Sequence, residues 1–220
     1  MIMLSYTEEN HLKAIFHLST DQKKGVSTNA IAKNLKTKPP SVSDMLKKLS
    51  DKELVTYKKY QGVLLTNEGK KTALNIIRKH RLWEVFLVDK LNFNWSEVHE
   101  LAEQLEHIKS KKLIDELDRF LGYPKKDPHG DPIPTTAGFI KYTTKVLLSD
   151  LKVGEEGTFV GVKDSSSTFL KFLDKRKIAL GSNIKIHHIE DFDNSIQIGL
   201  NKSNMTISVK SASNIFITKK

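Results

Sequence analysis

Apolar residues recur at helical spacing through most of the first 120 positions. Leu12, Ile15 and Phe16 define the inward face of a first helix, with Thr7 as its expected cap. Ser27 caps a second helix that turns Ala30, Ile31 and Leu35 inward. After the short break KTK, Pro39-Pro40 opens a third, since proline fits a first helical turn. Its inward residues are Val42, Met45, Leu46 and Leu49. The pattern then changes period. Leu54 to Tyr57 and Val63 to Thr66 read as two short strands around the basic turn KKYQG. Two helices joined by a tight turn and followed by such a hairpin form a winged helix-turn-helix.

From Asn67, GKKTALNIIRKHRLWEVFLVDKL runs helical for about six turns. It is apolar over much of its circumference, at Ala73, Leu74, Ile76, Ile77, Leu82, Val85 and Phe86. Such a helix belongs at a domain junction or a dimer contact. HELAEQLEHIKS (99–110) follows, with Leu101, Leu105 and Ile108 on one side. SKKLIDELDRFLG is a further helix, capped by Ser110, stopped by Gly122 and striped by Leu113, Leu117, Phe120 and Leu121. The proline-rich loop YPKKDPHGDPIP comes next. Beyond a connector at 142–151 lie TFVGV, the helical STFLKFLDKRK, NIKIHHI, SIQIGL, MTISV and NIFIT. Five short strands in about 70 residues suggest a small SH3-like barrel. The fold class is thus mainly α with β. His187 and His188 fall on one of these strands and read as strand residues, not ligands.

Charge adds a partner. The chain of 220 residues carries a formal +10, which favours a polyanion, nucleic acid first. Residues 1–71 hold 13 Lys against 7 Asp+Glu, a net of +6. Lys38, Lys47, Lys48, Lys58 and Lys59 lie on the expected recognition helix or wing and suit phosphates. Ser41, Ser43 and Asp44 face base edges, and Pro39, Pro40 and Ser27 border the same surface. Without cysteine there is neither a disulfide nor a thiolate site, so any metal is held by nitrogen and oxygen. No run of 18 apolar residues and no signal peptide are present, so cytoplasmic residence is the default expectation and no membrane is involved.

One short segment carries unusual chemistry. His99, Glu103, Glu106 and His107 stand at i, i+4, i+7 and i+8, one stripe of a helix. A solvated face is the simplest account. Against it, Glu103 and Glu106 are like charges one turn apart, with no Lys or Arg between Trp95 and Ile108. A divalent cation would relieve them. His80 and Glu84 repeat the pattern at i, i+4 on the preceding helix, and four of the eight histidines (His80, His99, His107 and His129) lie in this region.

The succession of winged helix, RKHRLWEVFLV, HELAEQLEH and DPHGDPIP resembles the diphtheria toxin repressor family of metal-dependent regulators, its manganese-responsive branch most closely. The resemblance covers nearly the whole chain. It implies a winged-helix DNA-binding domain (1–73), a helical dimerisation and metal-binding domain (74–141), a linker (142–151) and an SH3-like domain (152–220). It further implies a homodimer, joined through about residues 74–121, on a palindromic double-stranded operator, repressing metal-uptake genes when metal is bound.

The family's sites transfer residue by residue. One centre matches Glu103, Glu106 and His107, with Asn10 where relatives have Asp or Met. The other matches His80, Glu84 and His129, with Asp164 as the acid from the last domain. Relatives with this site carry Cys where Asp127 stands, which makes Asp127 a further ligand candidate. His99 matches a ligand of the iron-responsive branch, and DNA-contacting positions fall on Lys38 to Asp44. Glu103 replaces the Cys of iron-responsive relatives, so a mostly oxygen ligand set favours Mn²⁺ over Fe²⁺, with Zn²⁺ binding by raw affinity. A metalloenzyme is the competing class, but no nucleophile motif, phosphate-binding glycine loop or HExxH is present. The expectation is a regulator and not an enzyme. A winged-helix regulator with merely solvated His/Glu stripes is the other alternative.

Overall fold

The computed structural model describes residues 3–19, 25–58, 61–200 and 203–220. They fold as two compact units. The first comprises Met1–Trp83, Ala102–Phe120 and Ile133–Ile140, and the second Glu84–Leu101, Leu121–Pro132 and Lys141–Lys220.

In the first unit, α1 spans Tyr6–Leu18. Its cap is Ser5, not Thr7. Ser5 Oγ accepts from Glu8 N, while the Glu8 carboxylate accepts from Ser5 N, a reciprocal pair that satisfies two orphan amides. Ser27 caps α2 (Thr28–Asn34) as expected, accepting from Ala30 N at 3.2 Å. Helix α3 (Pro39–Asp51) has both prolines in its first turn. The wing is β1 (Val55–Lys58) paired antiparallel with β2 (Gly62–Leu65). Gly62 sits at φ +88 with its α-carbon against Gly25 and Val26, where a β-carbon would meet Val26 O at 2.7 Å. Leu12, Ile15, Ile31, Val42, Leu46, Leu49 and Val63 are fully buried and form one core. At about 1.5–3 kcal/mol per buried side chain, this cluster is what orders the short helices.

Helix α4 (Asn67–Leu91) runs from the first unit into the second, and α5 (Val98–Leu105) runs back. Helix α6 is Lys111–Phe120. It buries Ile114, Leu117 and Asp118, whereas Leu113 and Phe120 of the expected stripe are 42% and 63% exposed. The reason is a buried ion pair. Arg78 of α4 donates to Asp118 at 2.6 Å and to Pro134 O at 3.0 Å, and so turns the Asp118 face inward.

In the second unit, β3 (Val146–Leu147), β4 (Glu156–Val162), β5 (Asn183–Ile189), β6 (Ile196–Leu200), β7 (Ser203–Ile207) and β8 (Ile215–Lys219) form one antiparallel sheet. Its order is β3-β8-β4-β5-β6-β7. Helices α7 (Ser167–Lys175) and α8 (Val209–Ala212) complete it. Leu148 and Leu151, expected in a connector, are instead buried in the barrel core beside Phe159 and Ile217. Strand β4 is bulged between Phe159 and Gly161. Among the described residues no helix is long and apolar enough to cross a membrane.

Candidate metal centres and nucleic-acid face

The second unit gathers Glu84 from α4 with Asp127 and His129 from the loop after α6. One ligand atom of each lies within 4.8 Å of the others, and all three residues are buried. The loop is built for this. Asp127 Oδ1 accepts from His129 N at 2.8 Å and from Asp131 N at 3.0 Å, closing a tight turn. The bulged strand β4 anchors it through Val162 N, which donates to His129 O at 3.1 Å. Trp95 then sets the ring. His129 Nε2 is 2.8 Å from Trp95 O, which can only accept, so Nε2 carries the proton and Nδ1 faces Glu84 Oε1 at 3.6 Å. The Trp95 indole stacks on the imidazole at 6.0 Å, and its Nε1 donates to Asp174 of α7 at 2.9 Å.

His99 Nδ1 lies 3.5 Å from the same Glu84 oxygen. Burial opposes the His129 charge, but Glu84, then Asp127, outweigh it and raise the imidazole pKa to about 8. Two buried carboxylates and one imidazole thus meet in a single cluster. That donor set, hard oxygen plus imidazole, fits a divalent transition ion. Asp164 does not join it. Its Oδ1 accepts from Ser166 N at 2.8 Å at the start of α7.

The first unit holds a different arrangement. Helix α5 ends at Leu105, so Glu106 and His107 leave the expected stripe and are buried in the turn that follows. The relief for Glu103 and Glu106 comes from far away in sequence. Lys13 Nζ of α1 lies 2.5 Å from Glu103 Oε1 and 2.7 and 2.8 Å from the two Glu106 oxygens. His80 Nδ1, carried to a site with Glu84 by the family pattern, sits 2.6 Å from Glu106 Oε2. Burial would raise the Glu106 pKa, but the His80 hydrogen bond and Lys13 hold it below the ordinary carboxylate value. Lys79 is buried nearby, and desolvation lowers its pKa against the pull of Glu9 and Glu106.

His107 Nδ1 donates to Glu9, and Nε2, 3.7 Å from Glu106 Oε1, is buried without a hydrogen-bond partner. Asn10 Oδ1 is likewise a buried acceptor with no donor. Two such orphans carry a desolvation penalty that a cation would remove, so Asn10 and His107 offer a metal two atoms on that side. Sequence reasoning gave Lys13 no role, and the pairing of Glu9 with His107 was not among its expectations. The signal lay in their position. Glu9, Asn10 and Lys13 lie within about one turn of each other on α1.

On α3 and the wing, Lys38, Pro39, Pro40, Ser41, Asp44, Lys47, Lys48 and Lys58 are exposed, and Ser43 is half-buried. Ser43 Oγ donates to Pro39 O at 3.2 Å, and Lys47 pairs with Asp44 at 3.2 Å. Ser27 is exposed at its cap position. Lys59 lies outside the described residues.

A winged helix carried on a helical segment with buried His/carboxylate clusters, followed by an SH3-like barrel, defines a DNA-binding metal-sensor class. Comparison with known proteins agrees. Residues 3–63 match the iron dependent repressor N-terminal DNA binding domain. Residues 66–135 match its metal binding and dimerisation domain, and 146–219 the FeoA domain. The chain is 32% identical over 119 residues to the HTH-type transcriptional regulator MntR of Oceanobacillus iheyensis, covering 54% of this chain and 80% of that one. It is 33% identical over 130 residues to the iron-dependent repressor IdeR of Mycobacterium tuberculosis, covering 58% of this chain. The match spans about half, 55%, of that relative's length. A solved manganese-dependent transcriptional repressor in complex with manganese superposes with a TM-score of 0.86 at 30% identity, over 97% of this chain and all of that one. The chain belongs to the iron-dependent repressor family of metal-dependent transcriptional repressors, whose manganese-responsive branch is among its structural neighbours.

Proposed function

We propose that this protein is a cytoplasmic, metal-activated repressor of metal-uptake genes that binds a palindromic operator as a homodimer, with Mn²⁺ preferred over Fe²⁺ and Zn²⁺ also bound. The observation that carries it is the buried Glu84–Asp127–His129 cluster, in which one imidazole and two carboxylate ligand atoms lie within 4.8 Å of one another. A bound ion would be held there by Glu84, Asp127 and His129 and, in a second position, would meet Asn10 Oδ1 and His107 Nε2. Trp95 orients His129 so that Nδ1 presents its lone pair, and Asp127 holds the turn that carries it. The oxygen-rich donor set supports Mn²⁺, because carboxylates and carbonyls suit it, while Zn²⁺ competes through raw affinity.

The working division is DNA binding by 1–73, metal binding and dimerisation by 74–141, and a barrel whose core begins in the former linker 142–151 and fills 152–220. Exposed Leu113 and Phe120 on α6 support a partner copy there. On DNA, Lys38 to Asp44 enter the major groove, and Ser27, Lys47, Lys48 and the wing lysines Lys58 and Lys59 meet phosphate. Two symmetric copies address two half-sites.

The test is equilibrium dialysis of the chelator-stripped protein against Mn²⁺, Fe²⁺ and Zn²⁺, with operator binding measured in parallel. Loss of one bound Mn²⁺ per chain in His129→Ala, together with metal-dependent operator binding by the wild type, is the expected result. Operator binding indifferent to every metal would refute the sensor reading, and activation by Fe²⁺ at lower free metal than Mn²⁺ would refute the choice of ion.

A further inference from the structure

The Lys13 ammonium has three protons, and the structure meets them with three carboxylate oxygens at 2.5, 2.7 and 2.8 Å. This is no surface pair. The Glu106 side chain is fully buried, and that of Lys13 is 13% exposed. The contact joins residues 90 and 93 positions apart. We propose that Lys13 is a resident cation of the Glu103–Glu106 pair: its ammonium holds a position that a divalent ion would otherwise take, and it latches α1 to this pair without metal.

Three considerations carry this. First, an ammonium and a divalent ion compete for the same three oxygens, since each needs their lone pairs at bonding distance and the two positive charges repel. Second, the like charges of Glu103 and Glu106 are already relieved, with His80 adding a hydrogen bond to Glu106 at 2.6 Å. The electrostatic need for a second external cation at this pair is therefore removed. Third, the unpartnered acceptors are elsewhere in the cluster, on Asn10 and His107, so any ion admitted is directed to those atoms and not to the Lys13 position. The consequence is a centre with one fewer exchangeable cation, and a helix α1 that stays docked when metal is stripped. This inference rests on the Lys13 geometry and not on the Glu84–Asp127–His129 reading.

The experiment counts Mn²⁺ per chain on the full-length protein, by equilibrium dialysis with electron paramagnetic resonance of the free ion. It is run in a Glu84→Ala background so that the other centre is silent. Lys13→Glu is expected to bind one more ion per chain than the Lys13 parent, and to lose it again when Glu103→Ala is added. Hydrogen exchange on the metal-free protein gives an independent readout. In Lys13→Gln the α1 amides are expected to exchange at least tenfold faster than in wild type, and added Mn²⁺ restores their protection in folded Lys13→Glu. An equal ion count with and without Lys13→Glu, both folded by circular dichroism, overturns the proposal. So does unchanged α1 protection in Lys13→Gln, which decides the matter even if Lys13→Glu does not fold. Failure of the sensor reading registers separately, as a Glu84→Ala change that removes no metal from wild type.

Discussion

Gly130 carries the turn that presents His129, and replacing it with alanine tests whether that loop is held as tightly as the geometry implies. Its φ is +87, a conformation that costs an L-residue about 1–2 kcal/mol. A β-carbon there would stand 2.1 Å from Val160 O and 2.6 Å from Gly161 Cα, both backbone atoms of the bulged strand β4. Relief to a contact of about 3.5 Å requires the loop to move by roughly 1 Å. That displacement breaks the Val162 N to His129 O hydrogen bond, worth about 1 kcal/mol more. The sum is about 2–3 kcal/mol, or a fall in Tm of about 4–12 °C for a chain of this size.

The same movement carries His129 away from Glu84 by several times the tolerance of about 0.2 Å in a metal–ligand bond. Mn²⁺ affinity should therefore drop about 10- to 100-fold, the range seen when a ligand's support is lost. Thermal melts of the metal-free protein and a Mn²⁺ titration measure the two effects. Gly122→Ala is the control. Its φ is +73, but nothing lies within 4 Å of the added carbon, so it should lower Tm modestly and leave metal affinity alone. If Gly130→Ala melts within about 1 °C of wild type and binds Mn²⁺ equally well, the loop is not the rigid support described here.

Three further outcomes are expected. With His129 at a pKa of about 8, its charge stabilises the metal-free fold below the ordinary pKa of 6.5, and this contribution is lost as pH rises through about 8; metal needs the neutral ring, so Mn²⁺ affinity should rise up to about tenfold per pH unit from 6.5 to 8, and a flat profile would contradict the assignment. Asp174→Ala frees the Trp95 indole and should weaken Mn²⁺ binding by up to about tenfold with a shift in tryptophan emission, whereas unaltered affinity would remove Trp95 from the support of His129. Alanine at Lys47, Lys48 and Lys58 together should weaken all DNA sequences alike and flatten the salt slope by up to ~3 units; a change in preferred base at one position would show that these lysines read sequence.

Much of this protein was legible along the chain. The three helices, the wing, the long α4 and most of the barrel strands follow from periods of 3.6 and 2, caps and turn residues, all of which act over a few positions. His80, Glu84, His99, Glu103, Glu106 and His107 stood out by their spacing, whereas Asp127, Asp164 and the ligand role of His129 came only from the family resemblance. What spacing could not decide is which of them meet. Glu84 finds Asp127 and His129 across more than forty residues because β4 and Trp95 hold the loop, while Asp164 is used at the start of α7. His80 turns to Glu106 because both lie in the first unit's interior. Helix α5 was expected to carry Glu106 and His107 on its solvent stripe; it stops at Leu105, and the chain buries both. The apolar stripe of α6 was drawn through Leu113 and Phe120, but the Arg78–Asp118 pair turns Ile114 inward instead. Above all, no local pattern could supply Lys13, because the charge that relieves the acidic pair comes from a helix some ninety residues earlier, and only chain folding brings an ammonium to within 3 Å of it. Local periodicity decides elements, since its forces are local. The electrostatic state of a buried site is a sum over everything packed around it, and that sum exists only in the tertiary structure.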